Sequence, residues 1–203
     1  MEDSMTAPVP APVTAATLRP AEAGDLPAVK ELLSAVSLPW DGLTDFFPGS
    51  YVVATSGGAL VGVAGLEIYG THGLLRSVAV LPAARGHGLG AALVRDRMAG
   101  GRAAGLQAIH LLTADAAGFF SRLGFTAVER ATFPDPIRAS VLFCHACQPE
   151  HVAAMSHALD EGHRGSTEID RSAAGGHRRA LDCRHQLPRA TPPATHGRPL
   201  PQD

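Results

Sequence analysis

Leu74-Leu75-Arg76-Ser77-Val78-Ala79-Val80-Leu81-Pro82-Ala83-Ala84-Arg85-Gly86-His87-Gly88-Leu89-Gly90 is the stretch on which the reading of this chain turns. Residues 74–81 are apolar on both alternating faces except at Arg76 and Ser77, so they predict a strand covered on both sides, central in a sheet. A Gly-rich turn follows, and a helix is expected from about residue 89 to 104. Glycines allow backbone N–H groups to close around an anion without interference from Cβ atoms. The helix N-terminus adds further unpaired donors and a positive dipole end, and Arg85 adds a cation at the mouth. A pyrophosphate suits such a loop; the plainer alternative is a strand-to-helix turn that binds nothing. No Lys-Ser or Lys-Thr pair follows the glycines, which excludes a mononucleotide P-loop. The spacing Gly86-x-Gly88-x-Gly90 also departs from the Gly-x-Gly-x-x-Gly of a dinucleotide fold.

Outward from this centre the elements alternate. Upstream, residues 51–55 and 59–68 read as strands joined at Ser56-Gly57-Gly58, a hairpin signal. Tyr69 to Gly73 makes a second tight connection into the central strand. A short strand starts at Leu18. Asp25 is placed to cap a helix with Pro27 in its first turn and Leu26, Val29, Leu32, Leu33 and Val36 on one face. Residues 41–47 suggest a short helix. Downstream, residues 108–113 read as a strand and 116–123 as a short helix stopped by Gly124. Residues 125–129 and 139–144 read as the last strands. Such an order gives an α/β (α+β) domain with a mixed, mostly antiparallel sheet and flanking helices, not a doubly wound one.

Composition divides the 203 residues into three regions. Residues 1–16, rich in Ala, Pro and Thr, read as a flexible lead-in; 17–159 as the packed domain; and 160–203, where Arg, His, Gly and Pro replace apolar residues, as a disordered tail. The formal charge of −2 gives no general reason to expect nucleic acid or an anionic membrane as partner. No apolar run is long enough to span a bilayer, and Glu2 and Asp3 stand where a secretory signal needs positive charge, so a cytoplasmic location is expected. Three cysteines imply no disulfide framework.

Two segments together carry a family resemblance. Arg-x-x-Gly-x-Gly after a strand ending Val-Ala-Val-Leu-Pro resembles the acetyl-CoA motif of the GNAT N-acetyltransferases. Gly118-Phe119-Phe120-Ser121-Arg122-Leu123-Gly124-Phe125 resembles that family's aromatic pair followed by Leu-Gly-Phe. The likeness covers about residues 18–143. A narrower likeness, to the arsenic-resistance N-acetyltransferase branch, rests on Gly65-Leu66-Glu67, on residues 74–80, on Gly118-Phe119-Phe120 and on the Cys147 to Met155 segment. The resemblance implies a single GNAT-like domain whose sheet splays between the strand of Val78 and Val80 and the strand of Ile109 and Leu111. It implies acetyl-CoA as co-substrate: the backbone of Val78, Ala79 and Val80 along the pantetheine, Arg85, Gly86, His87, Gly88, Leu89, Gly90 and Ala91 around the pyrophosphate, and Phe120 beside them. Many members carry Tyr where this chain has Phe120, so the hydroxyl that protonates the leaving thiolate is missing.

Direct attack by a neutral amine on a thioester needs a proton acceptor. Glu67 is the candidate base; a solvent-facing carboxylate is the alternative. Arg76, in an apolar strand, needs a partner, either Glu67 or an acceptor carboxylate. These two are the catalytic candidates. His72 reads as a surface residue, His87 as part of the anion loop, His110 as structural. Cys144-His145-Ala146-Cys147 lacks the second pair a zinc site needs, so no metal is expected. The function that follows is transfer of an acetyl group from acetyl-CoA to a small-molecule amine, amino-acid-like or arsenic-containing. A non-catalytic acyl-CoA-binding module and a protein-amine acetyltransferase stand as alternatives. The expected partner is the small-molecule acceptor, without nucleic acid or membrane, and a homodimer stays open.

Overall fold

The computed structural model describes residues 16–145 and 151–159. The expected lead-in (apart from Ala16), the expected tail and Cys147 lie outside the described residues. Among the described residues, seven strands form one sheet in the order β1-β2-β3-β4-β5-β7-β6. They are β1 (Thr17–Pro20), β2 (Tyr51–Ser56), β3 (Ala59–Tyr69), β4 (His72–Val80), β5 (Ala108–Thr113), β6 (Thr126–Val128) and β7 (Ala153–Ala158). Every neighbouring pair is antiparallel except β4 with β5. The β2–β3 hairpin turns at Gly57 (φ 57°) and Gly58 (φ 82°), the left-handed pair that suits a two-residue connection between twisted strands.

Helices cover both faces, and strand alternation decides which side chains each meets. Helix α1 (Leu26–Ala35) buries Val29, Leu32 and Leu33 against Tyr51, Val53 and Val63. Helix α2 (Leu89–Ala103) buries Leu89 and Leu93 against Val52, Ala54 and Ala64 on the opposite face. Its lower half joins Val94 and Met98 to Leu66, Leu75, Ile109, Leu111 and Phe120. Asp25 precedes α1 without a capping bond to the helix. Its carboxylate instead receives two Arg19 bonds of 2.7 and 2.8 Å and the Glu22 N–H at 2.8 Å, tying β1 to the helix entry. A paired guanidinium is a stronger donor than a helix N–H, which explains the departure from a simple cap.

The region after β6 overturns one expectation. Residues 139–144 are not a strand: a turn at Ala139 and Ser140 joins α4 (Asp135–Arg138) to α5 (Val141–His145). Pro136 in the first turn of α4 pre-sets the helical φ, and Ile137 is fully buried beside Phe133 and Leu74. These helices lie on the α1 side of the sheet. The last strand is β7, inserted between β5 and β6 and hydrogen-bonded on both edges. The short helix α3 (Ala117–Ser121) precedes β6. Among the described residues, no helix is long and apolar enough to cross a membrane.

Close approach fixes one position in this frame. Gly65 pairs with Tyr51 across the β2–β3 ladder, and a Cβ there would fall within the Tyr51 ring. Tyr51 is 1% exposed and cannot swing away. Gly65→Ala is therefore expected to cost about 1–3 kcal/mol in chemical denaturation, the scale of overpacking a filled core.

Candidate active site

Strands β4 and β5 pair only at His72–Ala108, Gly73–Ile109 and Leu74–His110. Beyond Leu74 they part, and β4 runs on to Val80 with β3 as its one paired neighbour among the described residues. The Leu81 N–H reaches back to the Val61 carbonyl, so by ladder alternation the Val80 N–H and carbonyl point away from β3, into the opening. A bulge sharpens the divergence: Ser77 and Val78 together oppose Ala64, and Ser77 takes the left-handed φ of 54°.

The Gly-rich loop sits at the mouth of this opening. Gly86 (φ 85°) and Gly88 (φ 76°) hold conformations that side chains resist, and a Cβ at either would meet nothing within 4 Å. None of the N–H groups from Gly86 to Ala91 pairs with a backbone carbonyl among the described residues. The loop is thus an open cradle of donors capping α2, which fits a pyrophosphate. Arg85 is exposed, and its Nε donates to the Val80 carbonyl at 3.0 Å, which ties the loop to the end of β4. His87 is exposed. Leu89 is buried, and Gly90 lies close enough to α3 that a Cβ would stand 3.5 Å from the Phe119 ring. Phe120 itself turns into the core at 6% exposure, edge-on to Phe119 and Phe125.

A buried polar cluster lies on the α1 face of the sheet. Register places Glu67 opposite Leu74 and Gly65 opposite Arg76, so Gly65, Glu67, Tyr69, Leu74 and Arg76 share that face. Arg76 Nη1 donates to Glu67 Oε1 at 2.7 Å, and each side chain is 2% exposed. Arg76 Nη2 donates to the Asp41 carbonyl at 2.6 Å, which pins the segment between α1 and β2 onto the sheet. The Tyr69 hydroxyl donates to Glu67 Oε2 at 2.8 Å. Both carboxylate oxygens are engaged, and of the two partners expected for Arg76 the structure pairs it with Glu67. Tyr69 was not singled out from the sequence, although its period-2 spacing from Glu67 marks the same face. Its hydroxyl is raised well above the usual phenol range by burial first and by the neighbouring Glu67 charge second. Burial likewise pushes the Tyr51 hydroxyl up to about 12. The Ser77 side chain lies beside it, but neither hydroxyl completes a hydrogen bond.

Two histidines meet further along this face. His72 Nδ1 and His110 Nε2 are 3.0 Å apart, and the His110 ring packs on Phe133 at 4.7 Å. Burial first, and His72 second, push His110 down to about 4. A folded pKa below the unfolded one means that the unfolded chain takes up a proton the folded chain refuses. Stability is therefore full above about pH 6.5 and falls as the pH drops toward about 4, by up to about 1.4 kcal/mol per pH unit for this one group. Denaturation of a His110→Gln variant should lose that part of the acid slope; an unchanged slope would contradict the assignment.

Residues 48–127 match the acetyltransferase (GNAT) domain family. The fold is that of a GNAT acetyltransferase. Among solved structures, the chain resembles the protein Rv2747 of Mycobacterium tuberculosis in complex with CoA, at 27% identity and a TM-score of 0.60, over 70% of this chain and 99% of that one. It also resembles N-acetylglutamate synthase of Neisseria gonorrhoeae complexed with coenzyme A and L-arginine, at 20% identity and a TM-score of 0.60. That match covers 72% of this chain but about a third of the synthase, 34%. The ribosomal-protein-S18-alanine N-acetyltransferase of Escherichia coli matches at 18% identity and a TM-score of 0.57, over 77% of this chain and all of that one, 100%. No curated protein sequence matches the chain. In this fold, the splay and the donor loop are adjacent features of one opening.

Proposed function

We propose that the chain is an acetyl-CoA-dependent N-acetyltransferase acting on the amine of a small molecule, amino-acid-like or arsenic-containing, with residues 17–159 as its catalytic domain. The observation that carries this reading is the junction of β4's unpaired edge with the loop of free N–H groups at residues 86–91. Acetyl-CoA supplies an activated acyl group for attack by a neutral amine. The backbone of Val78, Ala79 and Val80 offers the pantetheine an added-strand partner, and the Val80 N–H is available to the thioester oxygen as charge develops there. The loop from Arg85 to Ala91 holds the pyrophosphate, Phe119 backs it from α3, and Phe120 supports Phe119 from the core.

Glu67 is the proton acceptor in this reading. Its carboxylate is too buried to meet the acceptor directly, so the proton travels through the Tyr69 hydroxyl, which already donates to it. Arg76 is a positioning residue: it fixes Glu67 on one side and the segment at Asp41 on the other. Phe120 has no proton for the departing thiolate, and this favours one second reading, an acyl-CoA-binding module without turnover. Mass spectrometry of reactions with amino acids, arsenic- and phosphorus-containing amino acids and short peptides tests the acceptor class. The proposal expects addition of one acetyl group to a small amine. Acetylation of the peptides alone would overturn it in favour of a protein substrate.

A further inference from the structure

The α2 face of the sheet carries a charged pocket apart from the Glu67 cluster. It is open to solvent, has a volume of about 320 Å³ and is lined by Arg95, Met98, Arg102, Arg122, Leu123 and His157. Arg95, Met98 and Arg102 recur at helical spacing along one face of α2. Arg122 and Leu123 come from the turn after α3, and His157 comes from β7. Met98 is 5% exposed and, with Leu123, gives the cavity an apolar floor. Among the described residues, no acidic side chain lines it. Among the described residues, the guanidinium groups of Arg95, Arg102 and Arg122 make no ion pair or hydrogen bond, whereas Arg19, Arg76 and Arg97 all do. His157 is oriented from behind: its Nδ1–H donates to the Gly124 carbonyl at 2.8 Å, which frees Nε2 for another partner.

We propose that this cavity is a second anion site, built for the phosphate of a phosphate ester. Three guanidinium groups held together without counter-charge repel one another, and an anion among them removes that cost. A phosphate monoester carries close to two negative charges and presents several acceptor oxygens, which matches planar guanidinium donors better than a single carboxylate does. The apolar floor accommodates the remainder of a small molecule. None of its lining residues belongs to the Gly-rich loop: along the α2 axis they run from Arg95, about 7.5 Å beyond Gly90, to Arg102, about 18 Å beyond it. The site stands whether or not the chain transfers acetyl groups.

The test uses the full chain and inorganic phosphate as probe, with thermal melting at constant ionic strength and chloride as reference. Phosphate should raise the melting temperature of the parent and of Gly88→Glu, in which the loop is blocked. In the Arg102→Gln/Arg122→Gln double variant its apparent affinity should fall by about tenfold or more, the scale of losing charge-assisted bonds. Both arginines are exposed, so the double variant keeps its fold. A double variant that responds like the parent, or a Gly88→Glu variant that loses the whole response, overturns the site. Calorimetry with CoA and 3′-dephospho-CoA then assigns the phosphate. If the preference for CoA disappears in the double variant, the cavity holds the cofactor's own 3′-phosphate; if the preference persists, it holds a separate phosphate ester.

Discussion

Gly88→Glu is expected to abolish measurable acetyl-CoA binding while leaving the domain folded. Gly88 is exposed, and a Cβ there would meet nothing within 4 Å, so the main structural cost is the left-handed backbone at φ 76°, about 1–2 kcal/mol. The effect on a pyrophosphate is far larger. A carboxylate would stand among the N–H groups that cap α2, satisfy them, and repel the incoming anion. A loss of about a hundredfold in affinity corresponds to only about 2.7 kcal/mol, a scale that repulsion between like charges and the loss of the loop's N–H donors reach together. Titration calorimetry, with melting temperature as the fold control, checks it. Unchanged affinity in a folded variant would remove the loop from the cofactor site.

Glu67→Gln is expected to lower turnover by about a hundredfold or more, the scale of losing a general base, with little change in acetyl-CoA affinity. The same substitution leaves Arg76 buried with a neutral partner. Stability should therefore fall too, toward the roughly 3–5 kcal/mol seen when one member of a buried pair is removed. These two consequences separate in a double variant. Replacing the pair together, as Glu67→Leu/Arg76→Met, removes both buried charges, so much of the stability should return. Turnover should stay low, because no proton acceptor remains behind Tyr69. A Glu67→Gln enzyme that turns over normally with a good acceptor would sink the base assignment. Recovery of activity along with stability in the double variant would make the cluster purely architectural.

The legible parts of this fold were those with strong local chemistry. The hairpin at Gly57-Gly58, the both-faces-apolar β4 and the glycines before α2 each announce their geometry through residues with few alternatives. The splay was implied by family resemblance and appears as the loss of β4–β5 pairing after Leu74. The end of the domain was not legible. Ala153–Ala158 is Ala-rich and has weak strand propensity, and it becomes β7 because β5 and β6 satisfy its backbone on both edges. Residues 139–144 look strand-like in isolation, yet the buried side of Ile137 and the prolines before it make the segment helical. In the candidate site, Glu67 and Arg76 could be singled out as charges in apolar strands. The second acceptor of Arg76, the Asp41 carbonyl, could not, because a backbone acceptor 35 residues away leaves no mark in the sequence. The three arginines around Met98 were equally silent, since they converge only when α2, α3 and β7 are packed together.

Amine-dependent release of free CoA tests the central claim most directly. The parent chain is incubated with acetyl-CoA and the amine panel, and the free thiol is followed with a thiol-reactive dye. The account predicts that at least one small amine raises thiol release well above the rate without acceptor, and that Gly88→Glu loses the increase entirely. Tight acetyl-CoA binding with no amine-dependent thiol release from any acceptor would contradict it and leave an acyl-CoA-binding module in its place.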